Sequence, residues 1–186
     1  MTQSNFGYNP RKAGQVAAFF AMREGGLINV VKLIKLIYLA DRAFMGDYDE
    51  PMLMDRFVSM RHGPVDSRTY ECVNEGAEGW DEFISDRADH KVGLVNNALS
   101  EDALDELSDA DLEVLAQTWD KFGHMDRWAL VQYTHDNCPE WEDPDGSSLP
   151  IPYARVFKFL NKPRPKELER GIMESKRIAA VLSKTR

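Results

Sequence analysis

The sequence predicts a mainly α protein: a compact multi-helix domain around one buried central helix, with a small β-hairpin as its minor β element (α+β, minor β). Three observations predict it. Residues 28–45 are apolar on nearly every side, with Val30, Val31, Leu33, Ile34, Leu36, Ile37, Leu39 and Ala40, and a helix apolar all round is a buried one. Residues 108–123 repeat Leu112, Leu115, Ala116, Trp119 and Phe122 at three- and four-residue spacing, the period of an amphipathic helix. Residues 80–96 alternate apolar ends with a polar middle, which reads as a β-hairpin or two short strands.

The first helix is expected from Asn9-Pro10 to Gly25-Gly26, since Asn suits the N-cap, Pro the first turn and Gly the exit. Ala13, Val16, Ala17, Phe20 and Ala21 line one face of it. The central helix follows over 28–45, with Asn29, Lys32, Lys35, Asp41 and Arg42 as a narrow polar stripe and Gly46 as its stop. Phe57-Val58-Ser59-Met60 suits either a short strand or a turn of helix, and His62-Gly63-Pro64 reads as a punctuating turn. A short helix carrying Tyr70 and Val73 is expected up to Gly76. Ser108-Asp109-Ala110-Asp111 resembles a capping box at the start of the amphipathic helix.

A further helix is expected over 126–135, broken by Asn137-Cys138-Pro139, with an acidic loop over 140–150 and a short helix after Pro152. Proline disfavours helix in the residue before it, so Asn161-Lys-Pro-Arg-Pro165 separates a domain at 1–161 from a helical tail at 162–186. Leu168, Ile172, Ala179 and Leu182 fall along one side of that tail, which either packs back on the core or docks on a partner. Trp119, Trp128 and Phe20 are assigned to the core.

Charge narrows the function. The 186 residues carry a net −8, but residues 162–186 hold eight Lys or Arg against three Glu, so the tail is +5 and the body −13. An acidic body repels nucleic acid and attracts a basic protein. A DNA-binding role would rest on the tail or on a local patch. Two cysteines, Cys72 and Cys138, with no metal-ligand spacing, fit a reducing compartment. With no leader pattern in MTQSNFGYNPRK and no apolar run of about 20 residues, the expectation is a cytoplasmic protein without a membrane segment.

Catalytic signatures are sparse. GxxxxGK[ST], GxGxxG and HExxH do not occur, and His124 and His135 are eleven residues apart, so no metal or cofactor is expected. Cys72 with His62, or Cys138 with His135, is the one arrangement of residue types that suits a nucleophile and base; a buried small hydrophobe is the simpler reading of Cys72. The unusual polar residues lie on or beside the central helix: Lys32, Lys35, Tyr38, Asp41, Arg42 and the turn Arg61-His62-Gly63-Pro64. Buried charge requires pairing, so these either form an internal network, for instance Asp41 or Asp66 with Arg42 or Arg61, or rim a recognition surface.

The strings Lys32-Leu33-Ile34-Lys35-Leu36-Ile37-Tyr38-Leu39-Ala40-Asp41-Arg42 and Arg61-His62-Gly63-Pro64-Val65, with Tyr70 after them, resemble the Panacea antitoxin domain, also called SocA-like and related to phage-associated proteins. Leu130-Val131-Gln132-Tyr133-Thr134-His135 followed by Pro139-Glu140-Trp141 is similar to that family's closing motif, so the resemblance spans about residues 12–160 in order. His62 stands where a Tyr is common before Gly-Pro. The resemblance implies a mostly helical fold, no catalysis, and an antitoxin that binds a co-encoded toxin directly, in some members as an adaptor to a protease or its unfoldase; the alternative is a phage-associated protein-interaction or DNA-binding regulatory module without a toxin. It places the partner-binding residues at Lys35, Tyr38, Asp41, Arg42, Arg61, His62 and Tyr70.

Overall fold

The computed structural model describes residues 7–184. Helix α1 (Pro10–Arg23) starts as expected: the Asn9 side chain accepts the Arg11 N–H at 2.9 Å and Pro10 occupies the first turn. Gly25 and Gly26, both at positive φ, turn the chain out of it. Gly14 lets α1 close on Trp80, because a Cβ there would stand 3.0 Å from the Trp80 backbone.

Strand β1 (Leu27–Asn29) then leads into the central helix α2 (Val30–Tyr48). Asn29 is the cap of α2 and not part of its polar stripe, since its carboxamide accepts the Val31 and Lys32 N–H groups. Gly46 does not end the helix. The stop is Asp49, in the left-handed region at φ 62°, with its N–H on the Met45 carbonyl. Helices α1, α4 (Asp109–Phe122) and α5 (Arg127–Asn137) all pack on α2, making it the centre of the core. The fold is mainly α with minor β, as the periodicity predicts.

The β structure departs from expectation. Residues 57–60 are strand β2 (Phe57–Met60), paired antiparallel with β3 (Gly63–Asp66) across the two-residue turn Arg61-His62. Gly63-Pro64 therefore begins a strand and is not itself a turn. On its other edge β2 pairs with a later segment, Leu149–Ile151, which begins within the last two residues of the stretch expected to be loop. Residues 80–96 contain one strand, β4 (Lys91–Gly93), whose regular partner is β1, while isolated bridges Ile84↔Leu94 and Ala88↔Lys91 close the loop. Residues 83–95 thus fold back on themselves antiparallel, as the expected hairpin would, but through isolated bridges; the regular pairing is the β1–β4 ribbon, and the larger sheet lies elsewhere. Leu149–Ile151 is β5 in chain order.

Helix α3 (Ser67–Glu75) ends at Gly76 as predicted, and α4 carries the predicted capping box between Ser108 and Asp111. Asp126 caps α5, accepting the Trp128 and Ala129 N–H groups. Helix α6 (Tyr153–Phe159) is followed by α7 (Pro165–Lys184), and the two pack together. Ile172 of α7 is buried, and Lys176 donates to the Tyr153 hydroxyl at 2.5 Å. The first half of the tail helix is therefore seated on the core, and the 161/162 division marks a change of charge inside a packed pair of helices. Replacing Ile172 with Ala should cost about 2–4 kcal/mol, measured by urea denaturation, and should expose α7 to limited proteolysis before the rest of the chain.

Candidate functional site

Helix α2 turns Lys35, Tyr38 and Arg42 toward the loop that follows α5, and that loop returns a carboxylate. Glu140, with no solvent exposure, accepts the Tyr38 hydroxyl at 2.6 Å and the Arg42 Nε at 2.6 Å on the same oxygen, while Arg42 Nη2 reaches its other oxygen at 3.2 Å. A buried carboxylate is tolerated only with such pairing. Tyr38 is held edge-on by Phe57 of β2, at 5.4 Å between ring centroids. Burial beside the Glu140 carboxylate pushes the Tyr38 hydroxyl up, so it stays a donor.

The next residue continues the link. Trp141 Nε1 donates to the Met60 carbonyl at 2.8 Å, and the Glu142 N–H donates to the Ser59 hydroxyl. His135, on the last turn of α5, stacks on Trp141 at 4.0 Å and 15°. Partial burial and the Lys35 cation hold its imidazole below the usual range. The closing motif is thus the stitch that fastens the post-α5 loop to β2.

A second set of groups lies deeper. Asp41 accepts the Met52 and Leu53 N–H groups at 2.6 and 3.3 Å. Asp66, also buried, faces Asp41, and neither of its oxygens has a donor of its own. Burial and the neighbouring Asp41 and Asp55 carboxylates push Asp66 well above the carboxylate range, which favours its protonated form, the form able to donate to Asp41. Asp66 occupies the N-cap position of α3 without capping it. Asp55 does that work, accepting the Arg68 and Thr69 N–H groups and the Thr69 hydroxyl.

Lys35 is fully buried and donates to the Pro64 carbonyl at 2.7 Å. Desolvation lowers it to about 7. A Cβ on Gly63 would lie 3.0 Å from Lys35 Nζ and 2.6 Å from the Thr134 hydroxyl. Only glycine lets the hairpin sit down on α2 and α5, and its φ of 102° suits no other residue.

These positions divide the expected binding residues. Lys35, Tyr38 and Asp41 are inside the molecule and do not rim a surface, because each finds its polar partner within the fold. Arg42 is partly exposed but committed to Glu140. The pairing of Asp41 or Asp66 with Arg42 or Arg61 does not form. Arg61 and His62 are exposed at the hairpin tip. Tyr70 on α3 is half-buried against the core, and no hydrogen bond among the described residues joins it to the tip. Trp128, expected in the core, is 53% exposed, while Phe20 is buried and Trp119 half-buried as core residues. Glu140 was not singled out, although it stands in the quoted Pro139-Glu140-Trp141 motif; its partners lie about 100 residues away and leave no local pattern.

The thiols do not favour a nucleophile. Cys72 and Cys138 are free and buried, and burial pushes both up, Cys138 to about 12, which keeps the thiolate scarce at neutral pH. Cys72 contacts the Tyr8 hydroxyl at 3.3 Å. Among the described residues no group of three or more His, Cys, Asp or Glu is placed to hold a metal ion, and no helix is long and apolar enough to cross a membrane.

Fold and site together define a helical domain whose motif residues mostly brace one another beneath an exposed hairpin tip. A family model described as antitoxin SocA-like, Panacea domain, matches residues 33–142, more than half of the chain, which therefore belongs to that family. The matched stretch runs from α2 to Glu142 and leaves α1, α6 and α7 outside it. No curated protein and no solved structure matches.

Two expectations follow. Arg42→Met strands a buried carboxylate and should cost about 3–5 kcal/mol, read as a lowered urea midpoint. The second concerns pH. Because Asp66 titrates in the folded state far above its unfolded value, its contribution is complete below the unfolded pKa and is lost as pH rises toward the folded one. Asp66→Asn keeps a donor to Asp41 but does not titrate. Between about pH 4 and about pH 6, the interval above the unfolded aspartate pKa, Tm of the variant should gain steadily on that of the native protein; a constant difference would contradict the protonated assignment.

Proposed function

We propose that this protein is an antitoxin that neutralises a co-encoded toxin by direct protein–protein contact. The observation that carries this reading is the coincidence of the family match with one braced unit: residues 33–142 contain all but the first turn of α2, the β2–β3 hairpin, α5 and the Glu140-Trp141 stitch. A binder gains affinity when its surface is organised before contact, and buried hydrogen bonds hold this hairpin in place. In this reading Arg42, Arg61, His62 and Tyr70 stand at or near the surface, while Lys35, Tyr38 and Asp41 act as positioning residues beneath it.

The body's charge of −13 supports a basic partner, since complementary potentials raise the rate of encounter. The deciding experiment is co-expression with the adjacent open reading frame, combined with a pull-down and a growth assay. A neighbour that arrests growth alone, is rescued by this protein and co-purifies with it in fixed ratio is the expected result. A neighbour harmless alone, or still toxic in its presence, would overturn the reading. For the captured pair, the association rate constant should fall about tenfold or more from low to high salt, measured by stopped-flow mixing.

A further inference from the structure

The hairpin tip meets the first turn of α5 at a face unlike the rest of the surface. Of the four tryptophans only Trp128 is exposed. Its backbone is anchored by the Asp126 cap, His62 stands edge-on to its ring at 5.6 Å, and the Arg127 guanidinium lies 5.4 Å from the ring centroid. Arg61 occupies the turn beside His62.

Arg61 and Arg127 are both exposed, and neither forms an ion pair among the described residues. Elsewhere in the body Arg11, Arg23, Arg42, Arg56 and Arg155 are each paired with a carboxylate, while Arg68 lies over the Tyr8 ring and Arg87 donates to the Asn74 side chain. In a body with 28 acidic residues against 15 basic ones, Arg61, one residue from the His62 that meets the indole, and Arg127, which feels the Asp126 carboxylate without ion-pairing to it, make this face locally basic. Trp and Arg are also the residue types that dominate binding energy at interfaces.

We propose that Arg61, His62, Arg127 and Trp128 form the docking site for a carboxylate-bearing segment of a protein partner, an Asp or Glu side chain next to an apolar one. The carboxylate pairs with the guanidiniums, and the apolar neighbour covers the indole. Charge complementarity selects this occupant over nucleic acid. Two arginines neutralise few phosphates, and affinity for a polyanion grows with the number neutralised. Asp126 and Asp136 on the same helix, both exposed, and the net charge of −8 repel an extended polyanion, whereas a single carboxylate meets only the local patch. The identity of the partner as a toxin rests on the antitoxin reading; the site itself does not.

The test uses the full chain, labelled with ¹⁵N, and three probes: a short synthetic peptide alternating Asp and Leu, the same peptide with Asn for Asp, and oligothymidine of equal length. The Trp128 indole N–H is assigned with Trp128→Ala. The Asp peptide should shift that resonance, and Arg61→Glu with Arg127→Glu should weaken its binding about tenfold or more at unchanged Tm, both residues being exposed. Equal binding of the Asn peptide, tighter binding of oligothymidine, shifts located elsewhere, or no binding of any probe would each overturn the proposal. The growth assay separates it from the functional reading. If the native protein rescues cells and the double variant rescues them equally, the toxin does not dock at this site and the antitoxin reading stands, while the site is decided by the peptide shifts alone. If the Asp peptide binds at Trp128 but no rescue occurs, the site stands and the antitoxin reading falls.

Discussion

The buried carboxylate of Glu140 is the constraint from which the matched region takes its shape. Removing such a group from water costs several kcal/mol, and the cost is offset only while Arg42 and Tyr38 stay on it. That requirement holds the loop after α5 against α2. With the loop held, Trp141 reaches the Met60 carbonyl and His135 finds the Trp141 ring. The β2–β3 hairpin is thereby fastened just short of its turn, at Ser59 and Met60, and the Arg61-His62 tip is presented outward.

The deeper polar set has a different task. Asp41 satisfies two N–H groups of the chain following α2, and Asp55 satisfies the start of α3. Each replaces water for a backbone donor that would otherwise be stranded. Asp66 and Lys35 lie between them as buried ionisable groups with few partners. Burial pushes the Asp66 carboxyl up and the Lys35 amine down, each toward its uncharged form, which is how such groups are accommodated. Much of the KLIKLIYLADR string is consequently inward architecture, and the surface it supports lies on the hairpin and on α5.

This division bears on function because a protein that acts by binding depends on both layers. The inner network limits what the hairpin can do, which lowers the entropy lost on contact. The outer layer presents Arg61 and His62 at the tip and Trp128 on the first turn of α5. Helix α7 adds a basic element outside the matched region, seated through Ile172 and Lys176.

The helices were legible because their signals are local. Asn9-Pro10, the Ser108 capping box, Gly76 and the three- and four-residue spacing of Leu112, Leu115 and Trp119 each report on a few neighbouring residues. The family was legible because its motifs keep their order along the chain. The strands were legible only in part: 57–60 and the 80–96 segment carried a strand signal, whereas β3 and β5 did not, since they are three or four residues long and β3 is buried throughout, which erases alternation. The side of α2 on which Lys35, Tyr38 and Asp41 would lie was not legible. A polar residue on an apolar helix is compatible with a surface or with a buried partner, and the partner, Glu140 for Tyr38 and Pro64 for Lys35, arrives from far along the chain. Helix type and family were therefore set by short-range pattern, whereas inside and outside were decided only when distant segments met, because burial belongs to packing and not to spacing.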